Sequence, residues 1–169
     1  MRIALDLAQA AAQAGEAPIG AVIIDPASGE VVAAAHNQPI ALADPTAHAE
    51  ILAIRQAASL RGNYRLTGLR LYVTLEPCAM CAGAISHARL GRVVFGASDP
   101  KGGAIEHGPR FFAQPTCHWR PETTGGVLAA ESAALLKGFF RARRQSRRAF
   151  RGLQACRLAR YALGPNEGG

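Results

Sequence analysis

No stretch of the 169 residues is apolar for long enough to cross a bilayer, which excludes a membrane-spanning helix. An export signal is missing as well. In MRIALDLAQAAAQA, Asp6, Gln9 and Gln13 break up the apolar run that such a signal needs, and the segment reads as an amphipathic helix. The cytoplasm is therefore the expected location, a compartment where disulfides are rare. Cysteine is scarce, with four residues in the chain, and a domain of this length buries a core without covalent staples. Internal repeats and linker-like segments are absent, so one domain is expected over residues 1–148, followed by a basic tail at 149–169.

The most telling absence is of acid. Between Ser132 and Asn166 there is no Asp or Glu, against nine basic residues running from Lys137 to Arg160. The rest of the chain holds ten basic residues and twelve acidic ones, so the whole net charge of +7 comes from this C-terminal fifth. Lys137, Arg141, Arg144, Arg148 and Arg151 follow a 4,3,4,3 spacing, which aligns them along one face of a helix. Such a stripe suits a phosphate backbone. A solvated helix face, or a helix resting on an anionic membrane surface, has the same pattern.

What is present alternates strand with helix. PIGAVIIDPASGEVVAAAHN reads as a hairpin turning around Pro26, Ser28 and Gly29. Asp44-Pro45-Thr46 then predicts a helix start, with Asp44 as N-cap and Pro45 in the first helical position, so that His48 and Glu50 fall in its first turns. LRLYVTL, residues 69–75, and RVVFGAS are strand-like, and CAMCAGAISHA between them is helical. Residues 99–126 are rich in glycine and proline and are expected to form a long irregular loop with one short helix near Phe111 and Phe112. VLAAESAALLKGFFRARRQ predicts a final helix. The alternation points to a layered α/β domain on a mixed sheet.

Cys78 and Cys81 stand at i and i+3 where a helix begins, so both sulfurs can face one point, and the helix N-terminus favours the thiolate form that a metal requires. Two thiolates and one imidazole suit zinc and leave one tetrahedral position open for water; His48, at the other helix start, can supply the imidazole. The pair alone fits redox chemistry as well as metal binding. Cys117 or His118 as a fourth ligand would make the site structural. Glu50 favours the catalytic version. Two residues apart on a helix differ by about 200 degrees, so Glu50 is not a second ligand beside His48, but near a helix end it can reach a metal-bound water and move protons. A surface glutamate attracted by the helix dipole is the plainer reading.

TAHAEILAIR together with LEPCAMCAGAI resembles the His-x-Glu and Pro-Cys-x-x-Cys signature of the zinc-dependent nucleobase deaminases. NQPIALADPTAHAE, NYRLTGLRLYVTLEPCAMCAGAISHARLGRVVFGASDPKGG and AALLKGFFRARRQ are similar, more closely, to the bacterial tRNA-specific adenosine deaminases. The likeness runs from about Arg2 to Arg147 and is weaker over 104–121.

The resemblance implies a three-layer α/β/α fold, a central mixed sheet of about five strands and a C-terminal basic helix. It implies one Zn2+ per chain held by His48, Cys78 and Cys81. Its chemistry would be hydrolysis of a wobble adenosine to inosine, with zinc making water acidic near neutral pH and Glu50 carrying its proton to the base. It further implies base contact by Asn37, anticodon-loop contacts by Asp99, Lys101, Phe139 and Arg143, a tRNA anticodon stem-loop as partner, and a homodimer. From the bare residues, Asn37 is a turn residue and Phe139 and Phe140 are core aromatics. A free-base deaminase, a thiol-disulfide redox protein and a non-catalytic RNA-binding module are the alternatives. The first has little use for the basic stripe, and binding alone has no use for Glu50.

Overall fold

Gly20–Ile24 (β1) and Val31–His36 (β2) pair antiparallel in the expected hairpin, whose turn is closed by the Asp25 carboxylate accepting the Ala27 N–H at 3.0 Å. The computed structural model describes the backbone of residues 1–162 and the side chains of residues 1–148. Arg70–Leu75 (β3) lies antiparallel to β1, Arg92–Ala97 (β4) parallel to β3, and Glu122–Thr124 (β5) parallel to β4, in the order β2-β1-β3-β4-β5. Arg2–Gln13 (α1), Ala49–Arg61 (α2), Ala79–His87 (α3) and Ala129–Ala162 (α4) are the helices, and Phe111–Ala113 makes one 3-10 turn. The chain divides into two compact units, Met1–Leu136 and Lys137–Gly169.

Alternation along the strands decides what each face of the sheet carries. Ala21 is opposite Val73, and Val73 opposite Phe95, so these three share a face. Ala49, Ala53 and Ala57 of α2 and Ile85 of α3 close over that face in one buried cluster with Ile23, Leu71 and Val93. Burying a side chain of the size of Ile23, Leu71 or Phe95 stabilises the domain by about 1.5–3 kcal/mol each. The opposite face takes α1, whose Ala4, Ala8 and Ala11 are buried. Gly20 makes this approach possible: a Cβ there would sit 2.1 Å from the Ala4 carbonyl oxygen and 2.8 Å from the Ala8 nitrogen. Helices on both faces of a five-stranded mixed sheet give the three-layer α/β/α architecture that the sequence implies.

Direction matters as much as layering. β2 and β3 both run antiparallel to β1, and β4 runs parallel to β3. The C-terminal ends of β2, β3 and β4 therefore share one edge of the sheet, and the residues leaving them are Asn37, Glu76 to Cys78, and Ser98-Asp99. Chemistry in open α/β sheets collects at such an edge.

The structure corrects two expectations. The helix predicted from Asp44 begins at Ala49, because the Asp44 carboxylate is spent on its own turn, accepting both the N–H and the hydroxyl of Thr46 at 2.7 Å. The irregular stretch 99–126 contains β5, a three-residue strand paired to Arg92–Val94. The final helix runs on to Ala162, and the positions Lys137, Arg141, Arg144, Arg148 and Arg151 all fall within it, as the spacing of the stripe predicts. The side chain of Arg151 in the basic stripe lies outside the described residues, as do residues 163–169 entirely. Among the described residues, no helix is long and apolar enough to cross a membrane.

Candidate active site

Two helix N-termini meet at this edge. His48 is the N-cap of α2 and Cys78 the N-cap of α3, both with extended backbone, and Cys81 follows one turn into α3. The Sγ atoms of Cys78 and Cys81 lie 3.7 and 3.6 Å from His48 Nδ1. Zn–S and Zn–N bonds of about 2.3 and 2.0–2.1 Å around a tetrahedral ion place sulfur and nitrogen about 3.6 Å apart, so the three donors already have the spacing that zinc demands. Among the described residues no fourth donor joins this cluster. Cys117, weighed as a fourth ligand, is instead engaged with the Ser86 hydroxyl at 3.5 Å and the Trp119 carbonyl at 3.1 Å. His118 is outside the cluster as well.

The three donor groups also act on one another's ionisation. The Cys81 thiol, and after it the His48 imidazole, hydrogen-bond to the Cys78 sulfur and hold its pKa at about 4. Donating to Cys78, together with burial, pushes the Cys81 thiol far up. The hydrogen bond to Cys78 raises His48. A divalent ion bound between the three groups would take the place of their shared protons and let both sulfurs ionise.

Glu50 lies in the first turn of α2 and is buried, 4 % exposed. Burial pushes its carboxyl above the usual carboxylate range. It is outside the ligand cluster but close enough to Cys78, Cys81 and His48 for each to act on its ionisation.

A family model for the cytidine and deoxycytidylate deaminase zinc-binding region matches residues 1–97. The chain belongs to that family. This deaminase is 52% identical over 144 residues to the tRNA-specific adenosine deaminase of Agrobacterium fabrum, spanning 85% of this chain and 93% of the relative. A solved structure from work on A-to-I editing by tRNA:A34 deaminases superposes with a TM-score of 0.78 at 52% identity, covering 80% of this chain and 97% of the other. The guanine deaminase of Bacillus subtilis is more distant, at 32% identity and a TM-score of 0.57 over 85% of this chain and 90% of that one. With the family's zinc-binding region and a donor set of zinc spacing in the same residues, the cofactor of this deaminase is Zn2+.

The other sequence-predicted residues fall into two groups. Asn37 leaves β2 at the common edge, is 4 % exposed, and its Oδ1 accepts the Ala49 N–H at 2.9 Å. It thereby satisfies the first amide of α2 from twelve residues upstream and is more than a turn residue. Asp99 and Lys101 follow β4, and Asp99 Oδ1 accepts the N–H groups of Lys101 and Gly102, both at 3.1 Å. Phe139 and Arg143 belong to the second unit, one helical turn apart, with the Arg143 guanidinium 5.4 Å from the Phe139 ring centre. Phe139 also meets the exposed Phe140 edge to face.

Sequence reasoning missed two buried carboxylates. Glu16 accepts the N–H groups of Ile40 and Ala41, at 2.9 and 2.8 Å, and so pins the loop that follows Asn37. Glu76, at the exit of β3, works against its own burial: the N–H groups of Asp99 and His107, the His107 imidazole and the Glu106 N–H hold its carboxyl at about 2. The signal in each case was an acid next to an element end, too common to single out.

Proposed function

We propose that this deaminase hydrolyses adenosine to inosine at the wobble position of a tRNA anticodon. The observation that carries the chemistry is the convergence of His48, Cys78 and Cys81 at zinc spacing with Glu50 beside them. The substrate follows from the likeness to the tRNA-specific adenosine deaminase of Agrobacterium fabrum, which spans nearly both chains.

His48, Cys78 and Cys81 would hold the ion, and bound zinc would supply the Lewis acidity that makes water a nucleophile near neutral pH. Glu50 takes one proton from the attacking water and delivers it to the purine ring nitrogen, then moves the water's other proton, left on the new C6 hydroxyl, to the departing amino group. The C6–O bond forms, the C6–N6 bond breaks, and ammonia leaves; no redox partner is needed. Asn37 spends its Oδ1 on Ala49, so its –NH2 is the end left for the base, and a purine ring nitrogen is an acceptor for it. A loop adenosine is single-stranded and easily splayed out, which makes extrusion cheaper than opening a duplex.

Asp99, Lys101, Phe139 and Arg143 are the proposed anticodon-loop contacts, and the stripe Lys137, Arg141, Arg144 and Arg148, all exposed, is a proposed track for the RNA backbone. The working state is a cytoplasmic homodimer, so sedimentation at micromolar concentration should give twice the chain mass; a stable monomer would overturn that assignment. Deamination of a free base is the competing reading, supported by the more distant guanine deaminase. Incubation with unmodified tRNA followed by sequencing decides between them. The wobble adenosine should be read as guanosine, while free guanine and cytosine release no ammonia; the reverse result overturns the tRNA reading.

A further inference from the structure

Glu76 stands two residues ahead of Cys78, 2 % exposed, and takes no part in the metal cluster formed by His48, Cys78 and Cys81. Its carboxylate is the centre around which the following loop is folded. Oε1 accepts the N–H groups of Ile105, Glu106 and His107 at 3.1, 2.8 and 3.0 Å. Oε2 accepts the Asp99 N–H at 2.9 Å and His107 Nδ1 at 2.7 Å. The loop also closes on its surroundings through Gly103 N–H to the Asp99 carbonyl and Ala104 N–H to the Pro77 carbonyl, at 2.8 and 2.9 Å. Its backbone runs so close that a Cβ on Gly103 would lie 2.4 Å from the Glu76 carboxyl carbon.

Glu76, Glu106 and His107 bring metal-binding side chains together, yet the donors converging on Glu76 make this an anion's nest and no place for a cation. What the arrangement does is mechanical. One end of the Glu76 tether is the backbone that leads into Cys78; the other is the loop that begins at Asp99 and carries Lys101. Asp99 in turn fixes the Lys101 and Gly102 amides with its own carboxylate.

We propose that Glu76 is a positioning residue for RNA binding, holding Asp99 and Lys101 in register with the zinc-ligand helix. This rests on the reading above that Asp99 and Lys101 contact the anticodon loop. The entropy of ordering the loop is then lost on folding and not again when RNA binds.

Steady-state kinetics on the zinc-loaded, full-length protein with unmodified tRNA test this, using Glu76→Gln, Lys101→Ala and the double variant. Glutamine keeps the shape but turns an –NH2 group towards the donors of Asp99 or His107. The expected result for Glu76→Gln is one zinc per chain, kcat within about threefold of wild type, and KM raised about tenfold, the scale of re-ordering one loop on binding. Lys101→Ala should raise KM alone but add nothing in the double variant, since Lys101 is already displaced there. An unchanged KM in Glu76→Gln, a loss confined to kcat, or additive effects in the double variant would each overturn the proposal. If Glu76→Gln fails to fold, His107→Ala removes one donor from a partly exposed side chain and should raise KM about twofold to threefold; a wild-type KM there is equally fatal. Wild-type KM in Lys101→Ala would sink the RNA-contact reading and this inference with it. A raised KM there beside a wild-type KM in Glu76→Gln sinks the inference alone.

Discussion

Glu50→Ala should lower single-turnover deamination of tRNA to the upper end of the roughly 10²–10⁴-fold losses that follow removal of a positioned acid–base group. On the proposed mechanism both proton transfers run through this one carboxyl, so no partial route survives its loss. Zinc content and tRNA affinity should stay at wild-type values, because Glu50 is outside the donor cluster. Stability should not fall much either. A buried carboxyl whose ionisation is disfavoured is costly to keep, and alanine removes that cost along with the packing. Metal analysis, tRNA binding and rapid-quench kinetics on the same preparation check all three. Turnover near wild type would remove Glu50 from the chemistry; a loss of zinc would make it a ligand instead.

Cys81→Ser should bring zinc down from about one per chain to near zero and turnover to background. Serine's oxygen is a poor replacement for a buried thiolate, and only His48 and Cys78 remain to hold the ion. The ion ties the start of α2 to the start of α3, so thermal stability should drop too, and a strong chelator acting on the wild-type protein should reproduce both effects. Elemental analysis and a melting curve with and without chelator are the measurements. The thiol-disulfide alternative makes the opposite forecast: a wild type with little zinc and activity that responds to oxidant. A Cys81→Ser protein with full zinc occupancy would dismantle the proposed centre.

How much of this was legible before any coordinates depends on whether the deciding interactions are local. The hairpin from Gly20 to His36 carries its own turn chemistry and strand pattern, and it formed as read. The Cys78 and Cys81 spacing is a property of one helical turn, so their facing a common point could be stated in advance. The start of α2 was misjudged because two side chains compete for the role of cap. Asp44 has the right identity but bonds to Thr46, while the amide of Ala49 is satisfied by Asn37, twelve residues upstream. That partner has no local signature. β5 was missed for a similar reason: Glu122-Thr123-Thr124 has no apolar alternation and becomes a strand only because Arg92–Val94 offers it an edge. Glu76 was invisible because its partners are mostly backbone amides, which every residue but proline possesses. α4 was legible because alanine, leucine and arginine are good helix formers and its basic residues keep helical spacing.

The shared edge of the sheet has one more consequence. If the residues leaving β2, β3 and β4 carry the chemistry, then the turn between β1 and β2 is at the far side of the layer, and Ser28 there is exposed. That turn is where a dye, a purification handle or a surface linkage can be attached with the reacting end left open to a large nucleic acid.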